Sequence, residues 1–214
     1  MKTAIKSLII VLIIVHLAIY ANAGNNFSSF DSNRNLHNPT IALSLVPLYT
    51  LENGFRVDFE IHLKKNQWLI IGPQYFIARD KSMNMFVDAG RNLDLEGYGV
   101  DIYHKIILKT EESISGPYAA YGIRYNSFNF KAPEENGNPK IDVTNSRYGF
   151  NVLFGYQNAI NNKLLLDVYT GCGIQVSNLS SAGTIFDNSN NIFLNYNYSG
   201  PRFLLGFRIG LFLN

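Results

Sequence analysis

From Gly54 onward, apolar and polar side chains alternate with a period of two, almost to the end of the chain. In the run 54–64, Phe55, Val57, Phe59, Ile61 and Leu63 fall on one side. Arg56, Asp58, Glu60, His62 and Lys64 fall on the other. Successive side chains of an extended strand point to opposite faces, so this pattern specifies strands with one apolar and one polar face. The closing stretch GPRFLLGFRIGLFLN, 200–214, repeats it: Phe203, Leu205, Phe207, Ile209, Leu211 and Leu213 oppose Arg202, Leu204, Gly206, Arg208, Gly210 and Phe212.

Eight such segments are expected, at about 40–49, 54–63, 67–78, 94–107, 116–129, 146–158, 163–177 and 200–213. The first and third carry apolar residues on both faces and are interrupted by Pro47 and Pro73. Short connections at 64–66, 108–115 and 159–162 alternate with longer ones at 79–93, 130–145 and 178–199. The long ones have loop chemistry, as in Ala132-Pro-Glu-Glu-Asn-Gly-Asn-Pro139 and Asn188-Ser-Asn-Asn191. From the second strand to the eighth this alternation of short and long, with only the first connection near Glu52-Asn53-Gly54 out of step, is the rhythm of antiparallel membrane barrels, which have short periplasmic turns and long extracellular loops. An even strand number puts both termini on the periplasmic side.

Which face points outward decides between a membrane barrel and a water-soluble, ligand-carrying one. An eight-stranded barrel has an interior just wide enough for side chains to fill. Turned inward, Phe55, Phe59, Phe150, Phe154, Phe203 and Phe207 with their aliphatic neighbours would overfill it. Glycines and medium-sized polar residues fit there instead, so the apolar face is expected against lipid. Tyr49, Tyr98, Tyr125, Tyr148 and Tyr156, near strand ends, suit interfacial girdles. The expected fold is therefore an all-β, eight-stranded, antiparallel up-and-down transmembrane barrel spanning residues 40–214.

The segment before it reads as address and leader. Lys2 and Lys6 precede the apolar run Leu8–Val15, and Ala21-Asn22-Ala23 supplies the small residues of a cleavage site. Residues 1–23 thus have the form of a cleaved secretory signal peptide, and the polar, Asn-rich 24–39 that of a flexible leader. The first 23 residues hold two lysines and no acids, so 18 Lys and Arg become 16, equal to the 16 Asp and Glu. A neutral mature chain gives no electrostatic case for nucleic acid. A single cysteine, Cys172, excludes an intramolecular disulfide and reads as a small hydrophobe on the apolar face.

The stretches LENGFRVDFEIHLKKNQWLIIGPQYFIAR, 51–79, and GFRIGLFL, 206–213, resemble small outer-membrane barrels of the OmpA/OmpX type, and most of all the outer-membrane β-barrel proteins of Bacteroidetes. The resemblance covers about residues 40–214 and concerns architecture. It implies an outer-membrane location, insertion by the barrel-assembly machinery, contact with outer-membrane lipid and a monomeric state. Such chains end in an aromatic residue, whereas this one ends Phe212-Leu213-Asn214.

Facing inward, Arg56, Asp58, Glu60, Asp101, Lys105, Arg124, Arg147, Asp167, Arg202 and Arg208 would meet in the lumen. Unpaired charge in a dry interior is costly, so an ion-pair network is expected. Acids of strands two, four and seven would face arginines of five, six and eight, with Asp58, Glu60 and Asp101 partnering Arg202 and Arg208. Catalysis is not expected. Barrel-type lipid A deacylases use a lipid-facing His and Ser with an acidic partner. Here His37 lies in the leader, His62 alternates with Glu60 and Lys64, and Ile106 stands two positions after His104. The fragments Gly97-Tyr-Gly99 and Gly171-Cys-Gly173 lie within strands and lack the rest of a nucleotide loop. Glu134-Glu135 and the loop Asp and Asn residues lack metal-ligand spacing, and the Asn-x-Ser sites at 26, 178 and 197 are short motifs that recur by chance. No cofactor or metal is expected. The expected role is structural or surface interaction through the long loops with an unidentified surface ligand. A narrow passive channel for small solutes, or a lipid-modifying enzyme, is the alternative.

Overall fold

The computed structural model describes residues 40–78, 94–108, 114–132, 141–161, 163–179 and 198–213. Within them eight antiparallel strands pair in sequence order, and the first pairs with the last, closing a barrel. They are β1 (Ile41–Leu45), β2 (Gly54–Lys64), β3 (Gln67–Ala78), β4 (Asp94–Ile107), β5 (Gly116–Ala132), β6 (Ile141–Ile160), β7 (Leu164–Leu179) and β8 (Gly200–Leu213). The signal peptide, the leader, His37, Glu134-Glu135, residues 79–93 and the Asn-x-Ser sites at 26 and 197 lie outside the described residues.

Every strand contributes large apolar side chains to the outside. Leu43, Phe59, Ile77, Ile102, Ile123, Phe150, Ile174 and Leu211, one from each strand in turn, are all exposed. A continuous apolar belt of this kind is incompatible with a water-soluble monomer and is what hydrocarbon solvates. Closure pairs the backbone groups along the walls, as a lipid environment demands. Phe207 departs from the pattern. It faces outward by parity yet is only 8% exposed. It stands just past the last β1–β8 rung, Leu45↔Ile209, where the segment following β1 packs against β8.

Inside, glycines make room for aromatic rings on the neighbouring strand. Gly155 pairs with Tyr118, and a Cβ on Gly155 would lie 2.6 Å from that ring's Cζ and Oη. Gly206 pairs with Tyr169 in the same way. The pairs Gly54↔Phe76, Gly97↔Phe128 and Gly122↔Tyr103 repeat the device around the barrel. Glycine thus lets a large ring lie flat along the wall where the interior has no room for it upright. At the terminal end, Trp68, Ile70, Ile107, Leu165 and Phe212 form an apolar floor.

Two expectations about strand extent are corrected. The first strand does not reach residue 49: it stops at Leu45, and Pro47–Glu52 forms a 3-10 segment with Pro at its start. Proline lacks the N–H that a continuing ladder needs and its fixed φ suits a helical turn. Tyr49 is consequently swung into the barrel, 8% exposed, and is no part of an outer girdle. Half of the connection expected over 130–145 is strand. β5 and β6 pair continuously up to Ala132↔Ile141, leaving only 133–140 between them.

Candidate functional site

The barrel interior gathers charge at mid-height. From β2 come Arg56, Asp58 and Glu60; from β4, Asp101 and Lys105; from β5, Arg124; from β7, Asp167; from β8, Arg208. Period two alone puts each on the inner face. Register then decides which of them meet.

Around Asp101 the arrangement is a four-part cluster. Arg124 donates from Nε to Oδ1 at 2.7 Å and from Nη2 to Oδ2 at 2.6 Å, a two-pronged contact matched to carboxylate geometry. Arg56 Nη1 donates to Asp101 Oδ2 and, at 2.9 Å, to the Tyr49 hydroxyl, which also accepts from Arg124. Tyr103 donates its hydroxyl proton to Asp101 Oδ2 at 3.1 Å. Arg56 also grips Asp58 with Nε and with Nη2, the latter at 3.0 Å.

Arg208 joins this cluster to a second one. Its Nε donates to Asp58 Oδ2 at 2.6 Å, and its Nη1 to Asp167 Oδ2 at 2.8 Å. Tyr118 donates to Asp167 Oδ1 at 2.7 Å. Lys105 Nζ reaches Glu60 Oε2 at 2.5 Å, Asp167 Oδ2 at 3.4 Å and the Gln157 side-chain oxygen. Gln157 in turn donates to the backbone carbonyl of Ile114 at 2.7 Å.

Four cations (Arg56, Lys105, Arg124, Arg208) thus face four carboxylates (Asp58, Glu60, Asp101, Asp167), and the set is electrically balanced. All are buried, Arg124 at 7% being the most exposed. Burying an ion costs several kcal/mol, roughly, unless geometry and extra hydrogen bonds compensate. Here each carboxylate meets at least one buried cation, and all but Glu60 also touch a tyrosine hydroxyl or a second cation. Cation–π contacts add to this: the Arg208 guanidinium lies 4.3 Å from the Tyr169 ring centroid, and the Lys105 ammonium 4.7 Å from that of Tyr118.

The other two expected residues sit differently. Arg202 donates to Gln175 Oε1 at 2.9 Å, and an acid was expected there. Arg147 lies over the Phe128 ring at 4.2 Å from its centroid. Both stand nearer the loop end than the acids of β2 and β4, because β8 runs down from Gly200 and β6 down from Ile141. Three tyrosines, Tyr49, Tyr103 and Tyr118, complete the network, together with Gln157. Parity marked Tyr103, Tyr118 and Gln157 as inward. Tyr49 was hidden by the Pro47 turn.

Chemically, this arrangement binds its own charges. Among the described residues, no group of three or more His, Cys, Asp or Glu is placed to hold a metal ion. His104 sits on the outer face near the terminal end, with Nδ1 2.9 Å from the Tyr121 hydroxyl and Nε2 3.3 Å from Gln67 Oε1. His62 packs against Trp68 at 4.9 Å between ring centroids and bonds the Lys65 carbonyl oxygen at 2.7 Å.

A closed eight-stranded barrel with an apolar exterior and a balanced ionic interior defines the class: a small outer-membrane-type β-barrel. No family model and no curated protein matches the sequence. Among solved structures, a major outer membrane protein from Thermus thermophilus is similar at a TM-score of 0.41 and 14% identity. The match covers 80% of this chain and 96% of that one.

Proposed function

We propose that this chain is an integral outer-membrane barrel, closed inside, that serves the envelope structurally or by surface interaction through its long loops. The observation that carries this reading is the filled mid-section. Arg56, Asp58, Asp101, Lys105, Asp167 and Arg208 occupy the lumen at 2% exposure or less. Eight strands leave room for packed side chains and not for an aqueous channel, and the interior charges are spent on one another. The signal peptide delivers the chain, the assembly machinery inserts it, and outer-membrane lipid surrounds a monomer. The loop-bearing end is left to meet a surface ligand. No cofactor, nucleic acid or catalysis enters this reading.

Two measurements test it together. Purified protein in detergent should migrate faster unboiled than boiled, since a closed barrel resists the denaturant until heated. The same material in a planar bilayer should give no stable, large single-channel steps. A heat shift accompanied by such steps would replace the closed reading with the passive-channel one.

A further inference from the structure

The outer face of the barrel changes character on one side. On the adjacent strands β3 to β6, Tyr75, Tyr98, Tyr125 and Tyr148 form an outward row near the loop-bearing end. Tyr75 pairs with Tyr98, Tyr125 pairs with Tyr148, and Tyr125 stands two positions from Ser127, the partner of Tyr98. Tyr98 and Tyr148 are 62% and 54% exposed. Such a row marks the level where hydrocarbon gives way to headgroups. Below it the outward side chains include Ile102, Ile123 and Phe150. Beyond it the strands continue and the same face turns polar: Glu96 and Asp94 on β4, Ser127, Asn129 and Lys131 on β5, Ser146 and Thr144 on β6. Register sets these side by side, as Ser127↔Ser146, Glu96↔Asn129↔Thr144 and Asp94↔Lys131. Across the barrel, β2 and β8 begin at Gly54 and Gly200, and their first outward side chains are the apolar Phe55 and Pro201.

Depth and chemistry together point to what lies against the polar face. From Tyr125 to Lys131 the strand advances about 20 Å, and a tilt of about 45° turns that into roughly 14 Å of height. A phospholipid headgroup layer is only about 5–8 Å deep, half the difference between a bilayer of about 40–45 Å and its core of about 30 Å. The face therefore rises well past a phospholipid surface and matches a headgroup built of several sugar rings. Its groups are hydroxyls, an amide and the carboxylates of Asp94 and Glu96, with Lys131 the one cation among them. Asp94, Glu96 and Lys131 are exposed. That balance offers a phosphate no net attraction. Sugar hydroxyls both donate and accept, so they can pair with every one of these groups.

We propose that the outer face of β4 to β6 beyond the tyrosine row binds the uncharged sugar residues of a glycolipid headgroup. The lipid's chains lie below the row, against Ile102, Ile123 and Phe150. Its sugars lie above, where Asp94 and Glu96 accept from their hydroxyls and Ser127, Asn129 and Ser146 exchange hydrogen bonds with them. Tyr75 reaches Glu96 Oε1 at 3.4 Å and links the tyrosine row to the first polar one. The contact is one-sided, because β2 and β8 carry no such rows. This inference rests on the outer-membrane reading, because it needs a lipid leaflet at the height of the tyrosines.

The test uses the full protein, folded in a polyoxyethylene detergent so that no detergent sugar competes, and then moved into phosphatidylcholine nanodiscs. The heat shift confirms a folded barrel in each preparation. Doping the discs with digalactosyl diacylglycerol should move the backbone amide signals of Glu96, Ser127, Asn129 and Ser146 saturably and leave those of Phe55 and Phe203 in place. Phosphatidylglycerol at the same mole fraction should move them at least fivefold less. Ser127→Ala combined with Asn129→Ala should cut the glycolipid response at Glu96 and Ser146 at least fivefold and keep the heat shift. Equal shifts from phosphatidylglycerol, or an undiminished response in the double variant, would reduce the face to ordinary headgroup contact. Equal shifts from soluble digalactose would assign it to a free glycan instead of a lipid. A heat-shifting protein whose amides ignore the glycolipid would overturn the sugar surface while leaving the outer-membrane barrel standing. Protein without a heat shift would take both readings down.

Discussion

The β5–β6 hairpin and the β8–β1 seam are made of the same kind of strand but are held together differently. The hairpin is paired without interruption from Gly116↔Gln157 to Ala132↔Ile141. The seam has five rungs, from Ile41↔Leu213 to Leu45↔Ile209. Backbone pairing alone would leave the seam, like the equally short β1–β2 pairing, a weak part of the wall. The interior charges bridge it: Arg208 on β8 holds Asp58 on β2, reaching past the short β1, and holds Asp167 on β7 as well. In the hairpin the two strands are joined by a long ladder and by ring-on-glycine packing. Where hydrogen-bonded length is short, side chains across the lumen take over the work of closure.

The largest test of this contrast removes the bridge. Arg208→Met leaves the Asp58 and Asp167 carboxylates buried with fewer cations, at a cost of about 3–5 kcal/mol. Urea unfolding in lipid vesicles, followed by loss of the heat-resistant band, should show an unfolding free energy lower by that amount. A shift under about 1 kcal/mol, less than one hydrogen bond to a charged group contributes, would mean that the ladder closes the barrel unaided.

The hairpin has its own weak point. Gly155→Ala drives a methyl group to within 2.6 Å of the Tyr118 ring, whose hydroxyl bonds Asp167 and so cannot swing away cheaply. Overpacking of this kind costs about 1–3 kcal/mol. Made in a Tyr118→Leu background, the same Gly155→Ala change should cost less, because the ring it strikes is gone, whereas a purely local backbone effect at residue 155 would cost the same in both backgrounds.

The inward and outward assignment of each strand was legible because the pleat has a period of two and nothing competes with it. That is why Asp58, Asp101, Lys105, Asp167 and Arg208 could all be placed inside from sequence. Which of them touch was not legible, since partners across a lumen depend on how far each strand is staggered against the next. Arg202 and Arg208 share a face of β8 only six positions apart, yet Arg208 meets two aspartates and Arg202 meets Gln175. Asp142, Thr144 and Asn145 read as loop by composition. They lie in β6 because Lys131, Asn129 and Phe128 stand opposite to pair with them. Tyr49 was lost for another reason. Its place in an apparent strand suggested an outward tyrosine, and a single proline two positions earlier turned it inward.

Tyr49→Phe probes the seam more gently than the arginine does. The ring stays, and with it the stacking of the Arg56 guanidinium 5.2 Å from its centroid. Only the hydroxyl goes, which accepts from Arg56 and Arg124. Both arginines keep Asp101, so neither is stranded, and the expected loss is about 1.5 kcal/mol, the low end for a hydrogen bond to a charged group. The more telling readout is local. Because this hydroxyl ties the 3-10 segment to the lumen beside the shortest stretch of wall, backbone amide exchange at Tyr49 and Asn53 should accelerate while that of β5 and β6 stays unchanged. Equal acceleration in the hairpin would mean that the barrel opens as a unit, and that seam and hairpin differ in construction but not in stability.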